Sequence, residues 1–535
     1  MRQLAFPCRL ALLLALALNS ASLFGAAASE VGEVAFANSG SAAAQEPFLR
    51  GLALLHNFEY DDAAEQFRRA QMIDPSFAMA YWGEAMTFTH PVWFQQDLAA
   101  ARAVMTRLGA TPEARQAKAP TARERDYLHA VETLYGKGTK EERDFLFSDA
   151  MALIHQRYPD DVDATAFYAL SLLGTAHHGR DFAIYMRSAA LLEEVFPTHQ
   201  HHPGVLHYLI HSYDDPIHAP LGMRAARLYG AVAPNAGHAL HMTSHIFVAL
   251  GLWDDVIAAN QQAIRVVNQQ RAGRGQPAKT CGHYPTWLHY ADLQERRLDD
   301  AARQLESCRQ MARGQLSDHP DPDASIVPYY LQMRLFHLVD AGRWEAADAL
   351  AIPPGKYPEA RLMQAYGDAL AAVNGDSKAF HAAAARLRDL QRELLASSTT
   401  PKKDDETVDR PYAEAVVRQI DALETIKAGK TAEGIALLSK AAEAESALPL
   451  EFGPPPLQKP ANELLGDQLL AAGRNAEAEQ AYRAALARAP GRTLSLQGLL
   501  RAQTALGQAD AAARTQAQLQ QYVVKDVKNS PVASR

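Results

Sequence analysis

The sequence predicts an all-α protein, a solenoid of stacked helix-turn-helix units arranged as one superhelix or two subdomains. Two observations carry that expectation. Apolar residues recur at helical spacing throughout, and no alternating apolar run marks a sheet. Small residues, aromatic residues and a helix-ending proline also return in a register of 34 residues, a period that belongs to paired-helix repeats. With 535 residues and 48% hydrophobic content the chain can bury a long continuous core.

Residues 1–28 read as a secretory signal: Arg2 and Arg9 precede the apolar run 10–18, and Ala26-Ala27-Ala28 offers a cleavage site. The apolar run is too short to span a membrane comfortably, and Cys8 lies before it, where it cannot serve lipidation. The mature protein is therefore expected to be exported, periplasmic or secreted, with no membrane insertion after cleavage. Residues 29–45, small and polar, are expected to be a disordered lead-in. A net charge of −8 with no long basic run argues against nucleic acid as a partner.

From residue 46 the register becomes explicit. With position 1 at Ala44, Gly51, Ala63, Phe67, Ala70 and Pro75 fall at positions 8, 20, 24, 27 and 32. With position 1 at Lys459, Gly466, Ala478, Tyr482, Ala485 and Pro490 take the same places. These are the signature positions of the tetratricopeptide (TPR) repeat: small residues let the paired helices approach, aromatics pack inward, and proline ends the second helix. Residues 46–396 read as a histidine-rich TPR-like solenoid, 397–410 as a linker, 411–524 as C-terminal TPR-like repeats and 525–535 as a tail. The C-terminal part holds no histidine and reads as scaffold, dimer surface or lid.

Eleven of the twenty histidines lie between residues 177 and 245. The His-x-x-x-His pair His207/His211 recurs 34 residues later as His241/His245. Position 1 at Pro203 and at Gly237 puts both pairs at positions 5 and 9, on the concave face, with His238 at position 2 and Asp214 and Asp215 at 12 and 13. The same register puts His56 and His90 at position 13 of the first two units, His283 near position 2 and His289 near position 8. His177 and His178 are expected near the end of a first helix, and His202 just before the Pro-Gly that opens the paired helix.

Two imidazoles at i and i+4 are neighbours on one helix face and can share an ion. A second pair on the next unit, roughly 8–10 Å away, can complete its coordination. The four-histidine set His207, His211, His241 and His245 is thus a candidate site for Cu, Zn, Fe or Ni, with Asp214, Asp215 or Glu84 as carboxylate support. If the site is catalytic, an Asp or Tyr208 is the candidate acid/base. The competing explanation is structural, with histidines that hydrogen-bond between helices or persist through repeat duplication. Tyr208 and Met242 follow the first histidine of each pair, where a zinc protease would have glutamate, so that chemistry is excluded. Ser244 beside His245 cannot form a nucleophile pair, because adjacent helix residues diverge. Trp82, Trp93 and Tyr81 are either a groove wall or core. Cys281 and Cys308 are either one disulfide or two buried thiols.

The segments 202–216, 238–253, 452–470 and 490–502 resemble a group of bacterial exported TPR proteins with His-Pro-Gly, His-x-x-x-His and His-x-x-His-Met-x-Ser-His elements. These fall here on His202, His207, His211, His238, His241, Ser244 and His245. Thr243 stands where that group would have proline. The resemblance implies the fold and carries no reaction with it. Three readings remain: a histidine-lined metal groove, a scaffold whose concave face binds a peptide or protein ligand, or an assembly component whose C-terminal repeats are the important surface.

Overall fold

The computed structural model describes residues 30–315, 326–355, 357–373, 375–397 and 410–529. The signal segment 1–28, nearly all of the linker 397–410 and the tail from 530 onward lie outside them. Within the described residues, 24 α-helices pack mostly as antiparallel neighbours along the chain, as the TPR-type solenoid requires. None of these helices is long and apolar enough to cross a membrane.

Local sequence explains the helix ends. Thr121 and Thr139 each close a capping box with a glutamate three residues on, Asp161 accepts from the Ala164 N–H, and Pro203 occupies the first turn of its helix. The repeat register has a steric origin. A Cβ on Gly466 would fall 2.8 Å from the Tyr482 ring, so position 8 stays small because position 24 is aromatic.

Three expectations are corrected. The lead-in is ordered: Val31 is buried, and Phe36 lies among Phe48, Trp82 and Tyr127. Its backbone is pinned by Glu33 N–H donating to the His201 carbonyl and by the Glu30 carbonyl accepting from Asn235 N–H. Two apolar side chains in an otherwise small and polar stretch suffice to anchor it. The second unit also interrupts its helices. Thr89–His90 pairs antiparallel with Gln95–Gln96, so His90 sits in a short hairpin and not at position 13 of a helix. The last helix continues to Asn529, into the stretch expected as a tail.

The apolar core falls into two large bodies that meet at helix Ile326–Ala341, where Phe336 belongs to the first and Leu335 and Val339 to the second. The C-terminal repeats then return to the middle of the chain. Arg492, fully buried, makes a bidentate pair with Glu463 at 2.7 and 3.1 Å, lies 2.9 Å from Asp340, and reaches the Tyr290 hydroxyl at 3.4 Å. Beside it Trp253 Nε1–H donates to the Gly491 carbonyl, and Thr493 N–H to Gln294. Cys281 and Cys308 form a disulfide, the first of the two alternatives, and it joins the start of helix His283–Gln294 to helix Leu298–Gly314.

Burial alone would raise the Glu463 pKa, but Arg492 and Lys459 overcome it and hold the carboxyl at about 2, against an ordinary 4.5. A depressed carboxylate stabilises the fold above its unfolded pKa and ceases to do so as pH falls through its folded one. Glu463→Gln leaves Arg492 short of charge and is expected to cost about 3–5 kcal/mol. In denaturant titrations the gap from wild type should stay flat from neutral pH to about 4.5 and narrow towards pH 2.

Candidate metal centre

Three consecutive units bring six imidazoles together. Helix Pro203–Tyr213 contributes His207 and His211, helix Gly237–Ala249 contributes His238, His241 and His245, and the first turn of helix His283–Gln294 contributes His283. Ring centroids lie 4.9 Å apart for His207/His211, 5.1 Å for His207/His238, 5.2 Å for His241/His245 and 4.6 Å for His241/His283. His211 and His245 approach to 5.5 Å across the seam, and His238 and His241 to 6.1 Å. All but His283 are buried, and His283 is half-buried.

The rings are oriented by acceptors behind them. Nδ1–H of His207 donates to the His56 carbonyl at 2.6 Å, and that of His241 to Asn260 Oδ1 at 2.7 Å. The amide of Asn260 is itself fixed, its Nδ2 donating to the Val256 carbonyl at 2.9 Å. His245 and His211 both donate to one oxygen, Asp214 Oδ2, at 2.9 and 3.3 Å. His238 Nδ1 lies 3.5 Å from the Tyr284 hydroxyl. A carbonyl, a carboxylate or an amide oxygen can only accept, so in His207, His211, His241 and His245 Nδ1 carries the proton and Nε2 presents its lone pair, whereas the Tyr284 hydroxyl, donor or acceptor, does not fix the tautomer of His238. The Nε2 atoms of His207, His211, His238, His241 and His245 are all buried and have no hydrogen-bond partner.

Protonation is disfavoured at His207, His238, His241 and His245. Burial first, then the neighbouring imidazoles, push His207, His238 and His241 well below the ordinary histidine range, while burial brings His283 to about 3. His245 falls to about 4 because burial outweighs its bond to Asp214. Burial opposes the Asp214 charge, yet Arg180 and the two imidazoles hold its carboxyl below the usual range. The donor set is all nitrogen and preoriented, the chemistry that suits Cu, Zn, Ni or Fe.

Aromatic rings enclose it. Phe58, held at a positive φ of 55°, packs its ring 4.2 Å from His207 and 5.6 Å from His238. Trp287 lies 4.6 Å from His245 and 4.7 Å from His241, and Trp93 is 5.9 Å from His238. From the C-terminal part Phe452 stacks on His245 at 5.1 Å and reaches His211 at 6.3 Å. The groove is thus closed by the chain's own segment around 452–456. Trp82 and Tyr81 are core, so of the three predicted wall aromatics only Trp93 faces the cluster.

The other candidates go elsewhere. His56 and His202 both bond Asp163 Oδ1, at 2.9 and 3.2 Å, and His202 also caps its helix through the Val205 N–H, so only the His56 carbonyl serves the cluster. His90 stacks on Tyr60 at 4.0 Å. His177 pairs with Asp144 at 2.8 Å, and His178 is exposed. His289 faces His337 at 3.4 Å on the other side of its helix. Asp215 accepts from the Ile217 and His218 N–H groups in the turn before helix Ala219–Val232. The Tyr208 hydroxyl is 3.0 Å from His56 Nδ1, which removes it as the acid/base, and Ser244 bonds the His241 carbonyl. Sequence reasoning missed Asn260, Asp163, Phe58 and Phe452 altogether. None of them bears a spacing signal: Asn260 lies on the second helix of His241's own unit, and the others come from other parts of the chain.

No family model matches the chain, and no curated protein matches it. Among solved structures it is similar to the TPR domain of P58(IPK), with 13% identity over 88% of this chain and 99% of that one and a TM-score of 0.20. It is also similar to yeast Tom70, with 10% identity over 91% and 99% of the two chains and a TM-score of 0.31. The likeness is one of fold alone.

Gly453 adopts φ +87°, and a Cβ there would lie 2.4 Å from the Trp287 ring. Gly453→Ala must therefore displace the covering segment. Diethylpyrocarbonate labelling of His211 and His245, read by mass spectrometry, should speed up at least several-fold in Gly453→Ala and in Phe452→Ala, with labelling of the exposed His178 unchanged.

Proposed function

We propose that this protein is an exported TPR-type repeat protein whose concave face carries a transition-metal centre, used for metal handling or metal-dependent chemistry. The observation that carries this reading is the set of five buried Nε2 atoms without a hydrogen-bond partner, four of them on rings whose Nδ1 donates to an oxygen that can only accept, grouped so that ligand nitrogens lie within 4.8 Å of one another. Unbound imidazoles so arranged leave buried acceptors unsatisfied, at about 1–3 kcal/mol each. A bound cation removes that cost and uses the orientation already built. The competing reading, a peptide in the concave groove, is disfavoured because Phe452 already stacks on His245 and Gly453 lies against the Trp287 ring. Export is supported by the N-terminal apolar stretch, by the resemblance to exported bacterial repeat proteins, and by the Cys281–Cys308 bridge, which belongs in an oxidising compartment.

Elemental analysis of untagged protein from the exported fraction tests the reading. Wild type should carry Cu, Zn, Fe or Ni, and His207→Ala/His241→Ala should carry none. Protein that is metal-free and takes up no added ion would refute the proposal. Asn260→Ala removes the acceptor behind His241 and should weaken metal affinity about 10–100-fold in competition with a chelator, with the ligands themselves intact.

A further inference from the structure

The six rings are two copies of one device. In each, the i, i+4 pair at positions 5 and 9 of one unit is completed by a histidine at or near position 2 of the next. His207 and His211 take His238, while His241 and His245 take His283. Within each triad one nitrogen from every ring falls within 4.8 Å of the others, close enough to converge on a single ion. A single ion between the four pair histidines would leave His238 and His283 without a role, although His238 Nε2 is buried and unpartnered like the rest. Three imidazoles also leave a fourth position open on each ion.

Resting on the metal reading above, we propose that the cluster is a two-metal centre, one copper ion held by His207, His211 and His238 and a second by His241, His245 and His283, with a hydroxide shared between them. Copper is favoured over the other divalent ions because an all-nitrogen site without a geometric bias binds Cu(II) most tightly. The hydroxide follows from charge. Six neutral imidazoles neutralise neither ion, and Asp214 is turned to the Nδ1 side of the rings and to Arg180. A hydroxide at the seam, formed from water with loss of one proton to solvent, lowers the charge of the pair from +4 to +3 and screens the two ions from each other. The seam is narrow, with His211 and His245 centroids only 5.5 Å apart.

Titration of the full-length mature protein with Cu(II), followed by metal analysis and electron paramagnetic resonance, tests this. Wild type should saturate at two coppers per chain, with a resonance integrating to far less than the copper present because the shared ligand couples the spins. His283→Gln, at a half-buried position that tolerates change, and His238→Gln should each bind one copper with full intensity. Thermal melting of the metal-free variants checks that both are folded. Saturation of wild type at one copper, with both variants unchanged, would overturn the two-metal assignment and leave the metal reading standing. Two coppers at full intensity would overturn the shared hydroxide. No copper at all would overturn the two-copper assignment, and failure to take up Zn, Fe and Ni as well would overturn the metal reading itself.

Discussion

The carboxylate of Asp214 is the constraint on which the centre depends. It follows the last turn of helix Pro203–Tyr213, and it is fully buried. One oxygen pairs with Arg180, and the other accepts from His211 in its own unit and His245 in the next. A buried charge of this kind is tolerated only with its partners in place, and removing one strands the rest. The same atom therefore sets the tautomer of two imidazoles and the relative placement of two repeat units.

The surroundings extend this arrangement outward. Behind His207 stands the carbonyl of His56, the last residue of its helix, and that ring is itself held by Asp163 and Tyr208. Behind His241 stands Asn260, from the second helix of the same unit. The left-handed backbone at Phe58 is a strained conformation that places its ring among three of the histidines. A polar layer thus holds the Nδ1 side of the rings, and an apolar wall excludes water from the Nε2 side.

The return of the chain's far end explains why a repeat protein can have a closed site. An open solenoid leaves its concave face to solvent or to a partner. Here Arg492 joins Glu463 to Asp340, while Trp253 and Gln294 bond the turn before helix Thr493–Ala505. That docking holds Phe452 and Gly453 over the histidines. The C-terminal repeats, which lack histidine, act as the lid.

Sequence alone determined the repeat, because a helix that packs at fixed spacing must carry small and aromatic residues at fixed spacing. Gly466 against Tyr482 is that rule in atomic form. It also determined the two His-x-x-x-His pairs, since one helix face is a local property of 3.6-residue periodicity. Tertiary structure alone decided which neighbours complete them. His238 and His283 take part while His56, His90, His177, His202 and His289 do not, because the angle between units sets the convergence of side chains and no local pattern encodes it. The lead-in was likewise misread from composition, since two apolar anchors, Val31 and Phe36, decide its order once a groove exists to receive them. Asn260, Asp163 and Phe452 are separated from the rings they serve by many residues of chain, so only packing brings them into contact.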